Sequence, residues 1–111
     1  MNKNQYDLNL EIESIKLELE AGQNSTDRQT KLLVKEEDYR LVLIRLKKGA
    51  HIKEHSAAGR IFVQVLEGHI QMNVLSSKFD MPQKNLLTIE PNIKHDVLAI
   101  EESVFLLTLS L

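Results

Sequence analysis

The sequence contains no cysteine and no tryptophan, and only two prolines and four glycines among its 111 residues. The absence of cysteine excludes a disulfide framework, a thiolate metal site and a cysteine nucleophile. Any metal would therefore have to bind histidine, carboxylate or amide side chains. The sequence also lacks a long apolar run and the apolar region of a signal peptide, so we predict a cytoplasmic protein that does not span a membrane.

The sequence also lacks a large excess of acidic or of basic residues. Sixteen acidic residues stand against fourteen basic ones, which gives a net charge of -2, and like charges do not cluster along the sequence. Nucleic acids and anionic membranes are bound by basic patches, so we expect neither as a partner. The apolar residues make up 42% of the chain, which is enough for the core of one compact domain.

The first thirty residues differ from the rest of the chain. Four apolar residues recur here at helical spacing: Leu8, Ile12, Ile15 and Leu19. They predict an amphipathic helix that ends near Gly22, with its apolar face packed on the barrel or on a dimer partner. A strand is the alternative, although it would need a slip of its alternation at Ser14. Residues 23–30 are polar and predict a connector.

From residue 31 onward the pattern favours strands. Seven short runs are rich in strand-forming residues and are separated by turn signals. The predicted strands are Lys31–Lys35, Tyr39–Leu46, Ile61–Leu66, Ile70–Leu75, Leu86–Ile89, Asp96–Ile100 and Val104–Leu109. Their number and spacing are typical of a β-sandwich or barrel. We therefore predict a helix and connector over residues 1–30 and an all-β domain over residues 31–111.

The stretch from Gly49 to Gly68 holds three of the four glycines and two of the four histidines. Its polar half carries His51 and His55 and leads into the predicted strand at Ile61. His51 shares strand parity with His55, but roughly 13 Å of extended chain would separate them, too far for one metal ion. We expect His51, and His69 after the Gly68 turn, to be solvated.

Two other polar residues of this stretch could bind a ligand. Gln64 is an amide that could coordinate a metal, but its parity opposes that of Ile61, so we expect it to point out of the barrel. Arg60 could meet an anionic ligand, although a solvated charge in a loop is the simpler expectation. Neither residue is therefore predicted to belong to a site.

Two segments of the chain resemble the two motifs of the cupin superfamily. Gly49, His55 and the ending Val65-Leu66-Glu67-Gly68 resemble the first motif, and Pro91–Val97 resembles the second. The resemblance covers roughly residues 31–111. It implies an all-β double-stranded β-helix, the jelly-roll barrel of cupins, with a short N-terminal helix. It also implies a homodimer.

The metal-binding positions of these motifs are only partly kept. The first cupin motif normally supplies His-x-His followed by Glu, and the second supplies one more His. His55 and His95 occupy two of these positions, whereas Ala57 and Ile61 stand where the second His and the Glu would be. Zinc sites generally use three or four protein ligands, so His55 and His95 alone would bind Fe, Mn, Ni or Zn weakly. A divalent metal is thus possible but not favoured.

Three functions remain open, and no catalytic residue can be named. The first is binding of a small molecule in an apolar pocket of the barrel, near two polar histidines. The predicted pocket residues are His55, Ala57, Ile61, Val63, His95 and Val97. The second is a metal-dependent enzyme of the dioxygenase or isomerase type that uses His55 and His95. The third is a structural or interaction protein whose barrel is filled by its own side chains.

Overall fold

The computed structural model of the chain describes residues 4–20 and 27–111, without the side chains of residues 18–20. This part of the chain forms one helix and nine strands. In chain order these are α1 (Leu8–Glu20), β1 (Arg28–Lys35), β2 (Tyr39–Leu46), β3 (His51–His55), β4 (Arg60–Glu67), β5 (His69–Val74), β6 (Ser77–Pro82), β7 (Leu86–Ile89), β8 (His95–Ala99) and β9 (Ser103–Ser110). Gly22, the predicted end of the helix, lies outside the described residues.

The strands form two antiparallel sheets. One sheet has five strands in the order β1-β2-β9-β4-β7, and the other has four in the order β3-β8-β5-β6. Side chains alternate between the two faces of each strand. In β4, for example, Ile61, Val63 and Val65 are buried while Gln64 is exposed. The predicted all-β jelly-roll barrel with a short N-terminal helix is confirmed.

The main core lies between the two sheets and draws on both. Its largest member, Phe105, comes from β9 of the five-stranded sheet and is 1% exposed. Ile70 and Met72 of β5 meet it from the four-stranded sheet and are equally buried, and Val74 is half-buried. These three residues alternate along β5 and face the core.

The helix packs on the outer face of the five-stranded sheet. Ile12 and Ile15 form a second apolar cluster with Leu43 of β2 and Val104 of β9. Asp7 caps the helix, because its Oδ1 accepts hydrogen bonds from two backbone N–H groups of the first turn. The helical interpretation is thus correct and the strand alternative wrong, since Leu8–Glu20 is one continuous helix with both isoleucines on the face that packs on the sheet.

Polar contacts add to this packing. Lys16 of the helix forms an ion pair of 2.6 Å with Glu67 of β4. Arg45 of β2, which is buried, donates a hydrogen bond of 3.1 Å from Nη1 to the carbonyl oxygen of Lys16. The helix therefore covers its own barrel. The homodimer suggested by the cupin resemblance stays a prediction.

Three strand segments were not predicted, and all three belong to sheet edges. β3 and β6 are the two edges of the four-stranded sheet, and the start of β1, Arg28–Thr30, falls in the predicted connector. In β3 and β6 most residues are exposed. An edge strand with one solvated face carries little apolar alternation, so its sequence is similar to that of a loop.

No helix in residues 4–20 or 27–111 is long and apolar enough to cross a membrane.

Candidate functional site

Two of the predicted site residues lie opposite each other on neighbouring strands. Strands β3 and β8 pair antiparallel, and their register places His55 opposite His95. The two ring centroids are 4.3 Å apart and the ring planes are inclined by 60°. His95 is 3% exposed, whereas His55 is exposed. The pair therefore has one buried member and one member that solvent reaches.

A β-bulge in β3 decides which histidine joins His95. Ile52 pairs with Val97 and His55 pairs with His95, so β3 contains one residue more than β8 between these two positions. The bulge reverses the strand parity after Ile52. His51 lies on the opposite side of the sheet, with its Nε2 3.5 Å from Oδ2 of Asp96. The prediction that His51 and His55 share one side of the strand is wrong for this reason.

Both histidines are held in the same tautomer by the backbone. Nδ1 of His55 lies 2.8 Å from the carbonyl oxygen of Lys53, and Nδ1 of His95 lies 3.0 Å from that of Ile93. A carbonyl oxygen can only accept, so each Nδ1 carries the hydrogen, and Nε2 of a neutral ring keeps its lone pair. Within residues 4–20 and 27–111, neither Nε2 has a hydrogen-bond partner. Sequence reasoning missed the two carbonyl groups, since backbone acceptors leave no mark on a sequence.

Burial keeps His95 in its neutral form. It lowers the pKa of His95 below the ordinary value of 6.5, and the nearby imidazole of His55 lowers it further. The hydrogen bond to Ile93 and the charge of Asp96 raise the pKa but do not offset the effect of burial. Burial also raises the pKa of Asp96, yet hydrogen bonds from Asn73 and His51 bring it below its usual value. At neutral pH the site thus presents a neutral His95 imidazole, while the ionised Asp96 lies with His51 on the opposite side of the sheet.

The depressed pKa of His95 predicts a loss of stability in mild acid. Below about pH 6.5 the unfolded chain binds a proton that the folded chain does not, so the free energy of unfolding should fall until the pH reaches the folded-state pKa. Urea unfolding at about pH 7.5 and about pH 5.5 measures this change, and His95→Gln should reduce it. The lowered pKa values of Asp80 and Asp96 reduce the free energy of unfolding only below about pH 5, so they add little between these two conditions. If the free energy of unfolding fell equally in acid for the original protein and for His95→Gln, the prediction would be wrong.

The other predicted pocket residues belong to the barrel interior. Ile61 and Val63 of β4 and Val97 of β8 are at most 4% exposed and are members of the main core. Ala57 is half-buried, and its carbonyl oxygen accepts a hydrogen bond of 2.7 Å from the backbone N–H of Asn92. Ile61, Val63 and Val97 are therefore core residues, and Ala57 packs against the same core. Their role in binding stays a prediction.

Two of the remaining polar residues that sequence reasoning considered, Arg60 and His69, have partners on the protein. Arg60 forms an exposed ion pair of 2.6 Å with Glu90, and Gln64 is exposed, as predicted. His69 is half-buried, with its Nε2 2.6 Å from Oδ1 of Asp80. The expectation that His69 is simply solvated is therefore wrong. This hydrogen bond is also the main cause that lowers the pKa of Asp80.

The donor set does not fit a metal centre of three or four protein ligands. The described residues contain no group of three or more His, Asp or Glu side chains that could hold a metal ion. His55 and His95 supply two imidazole nitrogens, while the side chains of Ala57 and Ile61 have no donor atom. The pair is instead suited to accept hydrogen bonds at two Nε2 atoms.

Solved structures with a similar fold include a cupin superfamily protein from Desulfitobacterium hafniense, with a TM-score of 0.75 and 14% identity over 79% of this chain and 81% of that chain. A conserved protein of unknown function from Streptococcus pyogenes has a TM-score of 0.73 and 22% identity over 78% of this chain and 76% of that one. A salicylate 1,2-dioxygenase from Pseudoaminobacter salicylatoxidans has a TM-score of 0.83 and 14% identity, and the match covers 95% of this chain but 32% of the dioxygenase.

These identities are low, so the likeness shows the fold alone. No protein-family model and no curated protein matches the sequence. The fold is the jelly-roll barrel of the cupin superfamily, as the two sequence motifs predicted.

Proposed function

We propose that this chain with a cupin fold binds a small, uncharged molecule that donates a hydrogen bond to the His55–His95 pair. The observation that carries the proposal is the pair of Nδ1 hydrogen bonds to the carbonyl groups of Lys53 and Ile93. These bonds fix both rings and leave both Nε2 atoms as acceptors. A ligand that supplies an O–H or N–H group would satisfy them.

The surroundings of the pair favour a neutral ligand with an apolar body. His95 is buried and its pKa is lowered, so it offers no positive charge to an anion at neutral pH. Ala57 and Ile93 are half-buried and pack against the main core. Apolar walls with a few fixed polar groups are the usual composition of ligand sites.

Phenol and anisole test this proposal, because they share an aromatic body while only phenol donates a hydrogen bond. Phenol should shift the ring resonances of His55 and His95 in a saturable way, and anisole should shift them much less. The His69 ring, which already bonds Asp80, serves as an internal control. We expect His95→Ala to abolish the phenol response. His55→Ala should weaken it, and this exposed position carries little risk for folding.

Two results would contradict the proposal. Equal responses to phenol and anisole would show that Nε2 is not the acceptor. No response at all in a folded protein would favour the third interpretation, a structural or interaction protein whose barrel is filled by its own side chains. A stoichiometric Fe, Mn, Ni or Zn content in the purified protein would instead support the metal-dependent enzyme.

A further inference from the structure

A cavity lies outside the barrel, between the start of α1 and the outer face of the five-stranded sheet. It is a groove of about 680 Å³. Its main apolar and aromatic lining residues are Tyr6, Leu8, Val34, Tyr39, Leu41 and Leu106. This volume falls in the range of roughly 300–1,000 Å³ that small-molecule sites occupy. The groove shares no lining residue with the His55–His95 pair.

The groove forms because the helix covers only part of an apolar sheet face. The helix covers Leu43 and Val104. Leu41 and Leu106 reach the groove beside the first turn of the helix. A bulge in β1 inserts Leu33 between Leu32 and Val34. The Tyr6 hydroxyl donates a hydrogen bond of 3.0 Å to the carbonyl oxygen of Leu33, which ties the segment before the helix to the sheet. The segment before α1 and strand β1, which both line the groove, are thus joined by a hydrogen bond.

Acidic side chains predominate around the groove. The groove is lined by Lys35 and Glu36, and the turn between β1 and β2 continues with two further acids. The charged residues of the lining segments and this turn are Asp7, Lys35, Glu36, Glu37, Asp38 and Arg40. Of these six, Lys35 and Glu36 line the groove, and the other four, three of them acidic, belong to the adjoining segments. The capping contact of Asp7 also offsets the positive end of the α1 dipole, so the start of the helix does not favour an anion.

We propose that this groove binds a small organic cation with an apolar body, such as a cycloalkylammonium. The leucines would cover the apolar body, and the ammonium group would lie near the carboxylates and the two tyrosines. Tyr6 and Tyr39 are each 38% exposed, and aromatic rings attract organic cations. This inference is independent of the function proposed for the histidine pair.

The chain carries its own reporter for this test. It has two tyrosines and no tryptophan, and both tyrosines line the groove. Three probes share one body that does not absorb with tyrosine: 2-cyclohexylethylammonium, 2-cyclohexylethanol and 3-cyclohexylpropionate. Titration calorimetry gives their affinities, and tyrosine emission shows whether they bind at the groove. We expect the ammonium to bind tightest, the alcohol less tightly and the carboxylate least.

Two matched variants separate charge at the groove from charge elsewhere. Glu36→Gln removes an exposed carboxylate of the lining and should weaken ammonium binding about five-fold. Glu90→Gln removes an exposed carboxylate that follows β7 at the opposite edge of the same sheet, and it should change nothing. His95→Ala should also leave ammonium binding unchanged, so a failure here is distinct from a failure at the histidine pair.

Several outcomes would overturn the proposal. Equal or tighter binding of the alcohol or the carboxylate would show that the groove does not select a cation. Ammonium binding without a change in tyrosine emission, or an unchanged affinity in Glu36→Gln, would place the cation elsewhere. An absence of binding in the millimolar range would show that the groove is not a ligand site.

Discussion

Gly68→Ala should leave little folded protein, with a loss of at least about 4 kcal/mol in the free energy of unfolding. Gly68 has a φ of +86°, in the left-handed region. A methyl group there would overlap the carbonyl oxygen of Glu102 and the hydroxyl of Ser103, and it would lie 2.7 Å from Cα of Ser103. These are mostly backbone atoms of the neighbouring turn, which cannot move aside cheaply. A loss of this size exceeds the reserve of many small domains.

Gly49→Ala is the matched control for this prediction. Gly49 has nearly the same φ of +85°, but in the described part of the chain no atom beyond its two sequence neighbours lies within 4 Å of the added methyl group. The substitution should therefore cost only the left-handed conformation, about 1–2 kcal/mol. Soluble yield and urea midpoints of the two variants make the comparison. If both variants unfold at the same urea concentration, the close approach of the turn after β8 to Gly68 is wrong.

Ile15→Ala should lower the free energy of unfolding by about 3 kcal/mol, within the range of 2–5 kcal/mol for buried aliphatic residues. Ile15 is fully buried between the helix and the outer face of the sheet, against Leu43 and Val104. The substitution would leave a cavity in this small cluster, and alanine's better helix propensity offsets only a few tenths of a kcal/mol. Urea unfolding followed by circular dichroism measures the change.

Leu17→Ala is the control on the same helix. Leu17 is 64% exposed, two residues after Ile15, and its substitution makes a similar chemical change. We expect a change within about 0.5 kcal/mol. If Leu17→Ala were as costly as Ile15→Ala, the helix would pack through a different face. A large effect of Leu17→Ala alone would indicate that this exposed face binds a partner.

The histidine pair shows where sequence reasoning succeeds and where it stops. Two separate motifs place His55 and His95 at matching positions, and the structure brings their rings to 4.3 Å. The bulge that separates His51 from His55 could not be predicted, because an extra residue in an edge strand has no pattern in the sequence. Neither could the carbonyl groups of Lys53 and Ile93, which define the tautomers. The site's chemistry therefore depends on backbone geometry.

The sequence by itself determined the helix, the strands of the core and the barrel they form, because burial imposes a helical period on residues 8–15 and alternation on strands such as β5. It also determined that a centre with four metal ligands is incomplete, since Ala57 and Ile61 have no donor atoms. Only the tertiary structure decided the edge strands, the partner of each histidine and the groove beside α1. Each of these depends on contacts between segments distant in the chain, and a local pattern of residues does not record such contacts.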